Sequence, residues 1–120
     1  MIQVSSSFNA LRMVAGQKDP ILLEVTLKNA GKEPVFASAS VRLPFMLGFD
    51  QIGLMREKQE RVGLVGAGGE KTVSFRIYCK PLIRDGNYDI TANVNLHPPD
   101  RFDKTLNTII HHTNLRIIPK

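Results

Sequence analysis

Ile21-Leu22-Leu23-Glu24-Val25-Thr26-Leu27-Lys28 places apolar side chains at 21, 23, 25 and 27 and polar ones at 24, 26 and 28. A period of two is what a half-buried strand requires, because successive side chains leave a pleated backbone on opposite faces. Leu22 breaks the alternation, so the outer face of this strand is expected to be partly covered. Asn29-Ala30-Gly31-Lys32-Glu33-Pro34 follows as a turn, with Asn29 placed to cap it, Gly31 free to take a positive φ and Pro34 ending the pairing.

The same alternation returns outward from that stretch. Val35 to Leu43 turns Val35, Ala37, Ala39, Val41 and Leu43 inward, and Phe36 is left as a large apolar residue on the opposite face. Thr72 to Tyr78 buries Val73, Phe75 and Ile77, with Cys79 in the same phase; Tyr88 to Leu96 buries Tyr88, Ile90, Ala92, Val94 and Leu96. Val62 to Val65 reads as a short strand. Thr105 to Ile118 reads as a long one whose apolar phase changes between Ile109-Ile110 and Leu115, which calls for a bulge near His111 to Asn114. The first fifteen residues read as an edge strand broken by a bulge or a switch between sheets. About seven short strands with polar turns specify an all-β, immunoglobulin-like sandwich of two antiparallel sheets, occupying residues 1–120 as one domain.

Pro44 to Arg61 departs from the pattern. Phe45, Met46, Leu47, Phe49, Ile52, Leu54 and Met55 are too apolar for a solvated loop, and Phe49, Ile52 and Met55 lie three apart. A short helical turn or an irregular crossover against the sandwich is expected here, with Gly48 and Gly53 opposing a long helix.

Composition narrows the function classes. The chain has 120 residues, 42% of them hydrophobic, and no run near the ~20 apolar residues a membrane helix needs. The N-terminus lacks the basic start and apolar middle of a secretion signal, so a cytoplasmic protein is expected. The single cysteine, Cys79, excludes an internal disulfide and suits a reducing compartment. It lies in an apolar phase and reads as a small buried hydrophobe. Sixteen Lys and Arg against eleven Asp and Glu leave a net charge of +5. Acids interrupt the bases, as in Arg56-Glu57-Lys58-Gln59-Glu60-Arg61, so the excess serves solubility.

Four pieces occur in an order that resembles a known group: Leu27 to Pro34 with its following strand to Leu43-Pro44, then Gly68-Gly69-Glu70-Lys71-Thr72-Val73-Ser74-Phe75, then Asp85-Gly86-Asn87-Tyr88-Asp89-Ile90. Together they are similar to CARDB-like and related bacterial and archaeal immunoglobulin-like modules, over roughly residues 21–96. The resemblance implies an adhesion, spacer or protein-binding role. It carries over no catalytic residue, because the shared motifs are structural turns.

Candidate chemistry is sparse. His111 and His112 point to opposite faces of a strand unless a bulge re-aims one, and His97 joins them only if its strand end lies close. Asp100 and Asp103, with Asp50 and Asp85 in other loops, make a poor calcium cage beside Arg101 and Lys104. Gly66 to Gly69 lacks the Lys-Ser/Thr ending of a phosphate loop. No enzyme, metal or cofactor is expected. The outward bases Lys28, Arg42, Lys71, Arg76 and Arg116, with Tyr78 and Phe36 as stacking surfaces, would form a nucleic-acid stripe only if they share a sheet.

The leading expectation is a non-enzymatic interaction or structural module. Its partner is a protein, met at Phe36, Phe45, Phe49, Ile52 and Met55, or a second copy paired through an edge strand. A basic nucleic-acid-binding sandwich is the alternative; no membrane partner is expected.

Overall fold

The computed structural model describes residues 1–99 and 101–120, and these form two packed sheets with no helix among them. The strands are β1 (Ile2–Phe8), β2 (Met13–Val14), β3 (Ile21–Asn29), β4 (Val35–Arg42), β5 (Leu47–Gly48), β6 (Glu57–Val65), β7 (Glu70–Cys79), β8 (Gly86–His97) and β9 (Asn107–Ile118). One sheet has the order β1-β3-β7-β5 and the other β2-β9-β8-β4-β6. All pairings are antiparallel except β2 with β9. This is the immunoglobulin-like sandwich expected from the alternation, with nine strands rather than about seven because two of them are two-residue pairings.

The alternation of β3 survives intact. Ile21, Leu23, Val25 and Leu27 are buried, and Leu22 is half-buried on the other face. The facing layer comes from Ala37, Ala39 and Val41, from Ile90, Ala92 and Val94, and from Leu115 and Ile117. Phe75 on β7 is the largest wholly buried side chain. The three alanines of the opposite sheet leave volume between the layers for side chains of that size. The N-terminal segment does switch sheets: β1 pairs with β3, and β2 then runs beside β9 with Met13 wholly buried. Asn9 guides the exit, its side-chain oxygen accepting the Leu22 N–H at 2.9 Å.

Two strand readings need correction. β9 pairs with β8 in unbroken register from Gly86↔Ile117 to Leu96↔Asn107, so there is no bulge near His111. The apolar phase never changes. Residues 109, 111, 113, 115 and 117 all face inward, and Ile110 is simply exposed on the outer face. His111 disguised the pattern; it is tolerated inward because its Nε2 lies 2.7 Å from Ser6 Oγ on the other sheet. The bulge falls instead in β6, where Val62 is the extra residue between Ala37↔Gly63 and Ser38↔Arg61, and Gly63 has φ of 88°. β6 also starts at Glu57, five residues before the expected Val62.

Of the Pro44 to Arg61 crossover, the part up to Arg56 is irregular apart from β5, as one of the two expected forms had it, and contains no helix; Glu57 to Arg61 already belongs to β6. Phe49, Ile52 and Met55 are spread around a hydrogen-bonded loop instead of along a helix face. Phe49 turns into the sandwich, its ring 6.0 Å from that of Phe75.

Candidate functional site

The loops between β4 and β6 and between β7 and β8 meet at one end of the sandwich. Leu43 N–H donates to Arg56 C=O at 2.8 Å, and Lys80 N–H donates to Met46 C=O at 3.0 Å, tying both loops to β5 and β7. Phe49 N–H donates to Met55 C=O at 2.8 Å and closes the loop between them. Inside it, the Asp50 carboxylate accepts the Leu54 N–H at 2.9 Å through Oδ1 and the Met55 N–H at 3.2 Å through Oδ2. Gly53, at φ +72°, lies against Lys80: a Cβ there would stand 2.6 Å from Lys80 Cε. The loop therefore has one compact conformation, fixed by backbone bonds and a carboxylate.

That conformation holds apolar side chains in solvent. Leu82 is 86% exposed, Leu54 78%, Ile52 71% and Phe45 63%. Phe45, Met46, Ile52, Pro81 and Leu82 border a shallow groove of about 610 Å³. Lys80 Nζ sits 3.8 Å above the centre of the Phe45 ring, and Arg56 Cζ 5.6 Å from it. Among the described residues neither cation has a carboxylate partner, since the ion pairs are Arg42–Glu57, Lys58–Glu60 and Arg101–Asp103. Replacing Asp50 by alanine is expected to free the Leu54 and Met55 amides, costing about 1–2 kcal/mol. Hydrogen exchange should show faster exchange confined to residues 50–55.

Three of the five expected contact residues thus gather at this end: Phe45, Ile52 and Met55. Phe49 is spent on the core. Phe36 lies near the far end of β4, half-buried instead of exposed, with its ring 6.2 Å from Phe102 in an edge-to-face contact. Leu82 belongs to the patch but was not singled out from the sequence. Beside Ile83 in a short turn it carries no period to show that Ile83 is the buried one and Leu82 the exposed one, and only its proximity to Phe45 gives it meaning.

A second cluster, on the outer face of the five-stranded sheet, was also not anticipated. The β8–β9 loop folds back over the sheet and lays Phe102 on His97, ring centres 5.1 Å apart, while Arg61 covers Phe102 at 4.6 Å. His97 is buried. Its Nδ1 meets the Lys104 carbonyl, which can only accept, so Nδ1 carries a proton; in the neutral ring Nε2 is then the acceptor facing Ser38 Oγ at 2.7 Å. Gln59 Nε2 donates to the same hydroxyl at 3.3 Å. A serine bonded to an oriented imidazole has the outline of an activated nucleophile. Here Ser38 is 0% exposed, so no substrate atom has a path to its oxygen. Phe102, the aromatic residue of this polar loop, was the available signal. Phe102→Ser is expected to loosen the loop and lower stability by about 1–2 kcal/mol, a urea titration being the check.

The remaining candidates stay apart. His111 faces inward to Ser6, whereas His112 faces outward, its Nδ1 3.3 Å from Thr91 Oγ1. Ala92↔His111 pairing puts His97 five strand positions away, roughly 17 Å. Asp103 is held by Arg101 in two hydrogen bonds of 3.1 Å, and that guanidinium keeps its carboxyl below the usual carboxylate range. Asp50 is occupied by backbone amides, Asp85 is exposed, and Asp100 lies outside the described residues. No three His, Cys, Asp or Glu side chains among the described residues could share a metal ion. Cys79 is buried, its thiol directed at the Gln17 carbonyl at 3.6 Å. The bases expected to face outward divide between the sheets, Lys28 and Arg76 in one and Arg42 and Arg116 in the other, while Lys71, though exposed, stands opposite Leu27 in the inward phase of β7 and leaves the stripe. Lys28 stands opposite Glu70, and Arg42 pairs with Glu57 at 3.4 Å. Among the described residues, no helix is long and apolar enough to cross a membrane.

No family model matches the sequence, and no curated protein matches it closely enough to count as a relative. Solved structures match its fold. The CARDB domain of a Pyrococcus furiosus protein, determined in complex with di-metal ions, has a TM-score of 0.62 at 20% identity, over 98% of this chain and 88% of that one. The native conformation of Escherichia coli alpha-2-macroglobulin contains a similar unit, with a TM-score of 0.62 at 14% identity over 97% of this chain and 7% of that one. A family 123 glycoside hydrolase from Clostridium perfringens contains another, with a TM-score of 0.58 at 8% identity over all of this chain and 28% of that enzyme. The fold is that of a CARDB-like, immunoglobulin-like sandwich, as the turn motifs had implied.

Proposed function

We propose that this chain is a non-catalytic interaction module that meets a protein partner with the loop end formed by Phe45, Ile52, Leu54, Met55 and Leu82. The observation that carries the reading is the combination of exposure and order: several large apolar side chains stand in solvent on a loop locked by Asp50. Exposed apolar patches of this kind mark binding sites, and a fixed conformation reduces the entropy lost on binding. The partner surface that fits is apolar with an acidic margin, matching the carboxylate-free Lys80 and Arg56 at the groove. The division of the bases between two sheets weighs against a nucleic-acid track, which needs a continuous run of phosphate contacts.

The test compares native chain with the Ile52→Ser/Leu82→Ser double variant in affinity capture, each alongside a mobility-shift assay on nucleic acid at low salt. Both substituted side chains are exposed, so folding is expected to be unchanged. A partner retained by the native chain and lost by the variant is the expected result. Equal retention by both, or a nucleic-acid shift that the double variant leaves intact, would overturn the reading.

A further inference from the structure

β1 is an edge of the four-stranded sheet, and its backbone bonding can be assigned residue by residue. Asn9 N–H donates to Leu22 C=O, and Ala30 N–H donates to Met1 C=O. Both bonds belong to the register that pairs Ile2 with Asn29 and Phe8 with Leu23. In an antiparallel ladder, residues alternate between directing both backbone groups at the partner and directing both away. Residues 1, 3, 5, 7 and 9 therefore bond to β3, and Ile2, Val4, Ser6 and Phe8 present N–H and C=O outward. Among the described residues, no other backbone hydrogen bond takes them up.

This edge differs from the other long ones. The open side of β6 carries Glu57, Lys58, Glu60 and Arg61 and is kinked by the Val62–Gly63 bulge. The open side of β7 carries Glu70, Lys71 and Arg76; that of β9 carries two histidines and Arg116. Charges, bulges and prolines are how sheets block edge-to-edge pairing. Ile2-Gln3-Val4-Ser5-Ser6-Ser7-Phe8 has none of them.

We infer that β1 is a homodimerisation edge, pairing antiparallel with β1 of a second copy about a two-fold axis at Ser5 to give one continuous eight-stranded sheet. In this register Ile2 stands opposite Phe8 of the partner, Val4 opposite Ser6, and Gln3 opposite Ser7. All four outward residues of each chain are then used. Each offers one donor and one acceptor, so two copies form eight hydrogen bonds. Every neighbouring pair is uncharged, and the half-buried Ile2, Val4 and Phe8 lose their remaining water. A second copy is the occupant the strand fits best, because the sequence is complementary to itself when reversed: apolar ends meet apolar ends and hydroxyls meet at the centre. The inference is independent of the loop end proposed above.

Sedimentation equilibrium of the full chain over a dilution series, with two variants, tests it. The native chain should show the mass of two chains at the higher concentrations. Ser5 is exposed and makes no side-chain bond, so Ser5→Lys keeps the fold but sets two ammonium groups side by side. It should shift the dimer to single-chain mass, with partial recovery at high salt. Ser5→Cys should form an intermolecular disulfide under mild oxidation, since residues at the centre of such a ladder are ~4.5 Å apart between Cα atoms. Gln3→Cys should not, being roughly 13 Å from its own copy. A single-chain mass at every concentration overturns the inference. So does a dimer that Ser5→Lys leaves intact and Ser5→Cys fails to cross-link.

Discussion

Phe75→Ala is expected to lower the unfolding free energy by about 3–5 kcal/mol, the range found when a buried aromatic ring is truncated. Phe75 is 0% exposed at the middle of the interface between the sheets, and Phe49 leans on it. Alanine there removes the ring's transfer free energy and leaves a cavity. The neighbours on β3 and β7 are fixed by ladder bonds and cannot collapse into it. Domains of this size hold only about 5–15 kcal/mol in total, so the loss is a large fraction. A urea titration followed by far-ultraviolet circular dichroism measures it. A loss below about 1 kcal/mol would mean that the ring is not in a packed interior.

Asn29→Leu is expected to cost about 2–3 kcal/mol, through hydrogen bonds rather than volume. Asn29 is 1% exposed at the end of β3. Its Nδ2 donates to Glu33 C=O at 2.7 Å and Val65 C=O at 3.1 Å, and its Oδ1 accepts the Gly31 N–H at 3.0 Å. Its backbone adds two further bonds, to Gly69 C=O and from Gly68 N–H. The side chain thus ties the β3–β4 turn to the end of β6, while the backbone of the same residue holds the β6–β7 turn. Leucine fills the space and orphans the polar groups. Asn29→Asp separates the terms, because it keeps the acceptor for Gly31 but turns an oxygen toward two carbonyls. It should be nearly as destabilising as leucine, and a near-native unfolding midpoint for Asp would refute the donor role.

The difference between what could and could not be read from the residues follows from which forces leave a local trace. β3, β4, β7 and β8 are half-buried along most of their length, so burial writes a period of two into them. The turn at Asn29 was legible because a side chain bonding its own backbone is a local event. The first half of β6 was not legible: Glu57 to Arg61 lies on the edge of its sheet, and only Glu60 among these five residues is even half-buried. Without a buried face there is no period. The true phase of β9 was hidden because the inward position of His111 is set by Ser6, 105 residues earlier. The loop end was half-legible. The apolar excess of Phe45 to Met55 was plain, but its conformation depends on Asp50 reaching the amides of Leu54 and Met55 and on Lys80 from another loop. Ser38, His97 and Phe102 form a cluster only once the β8–β9 loop folds back onto the sheet, which no local pattern announces.

The central functional claim is that partners are met by the loop end and not by the sheet faces. A photo-crosslinking residue placed at Ile52, compared in cells with the same residue at Asn93 on the outer face of the five-stranded sheet, tests it most directly. Partner adducts from position 52, absent from position 93 and abolished by Leu82→Ser, are the expected result. Adducts from position 93 with none from position 52 would contradict it.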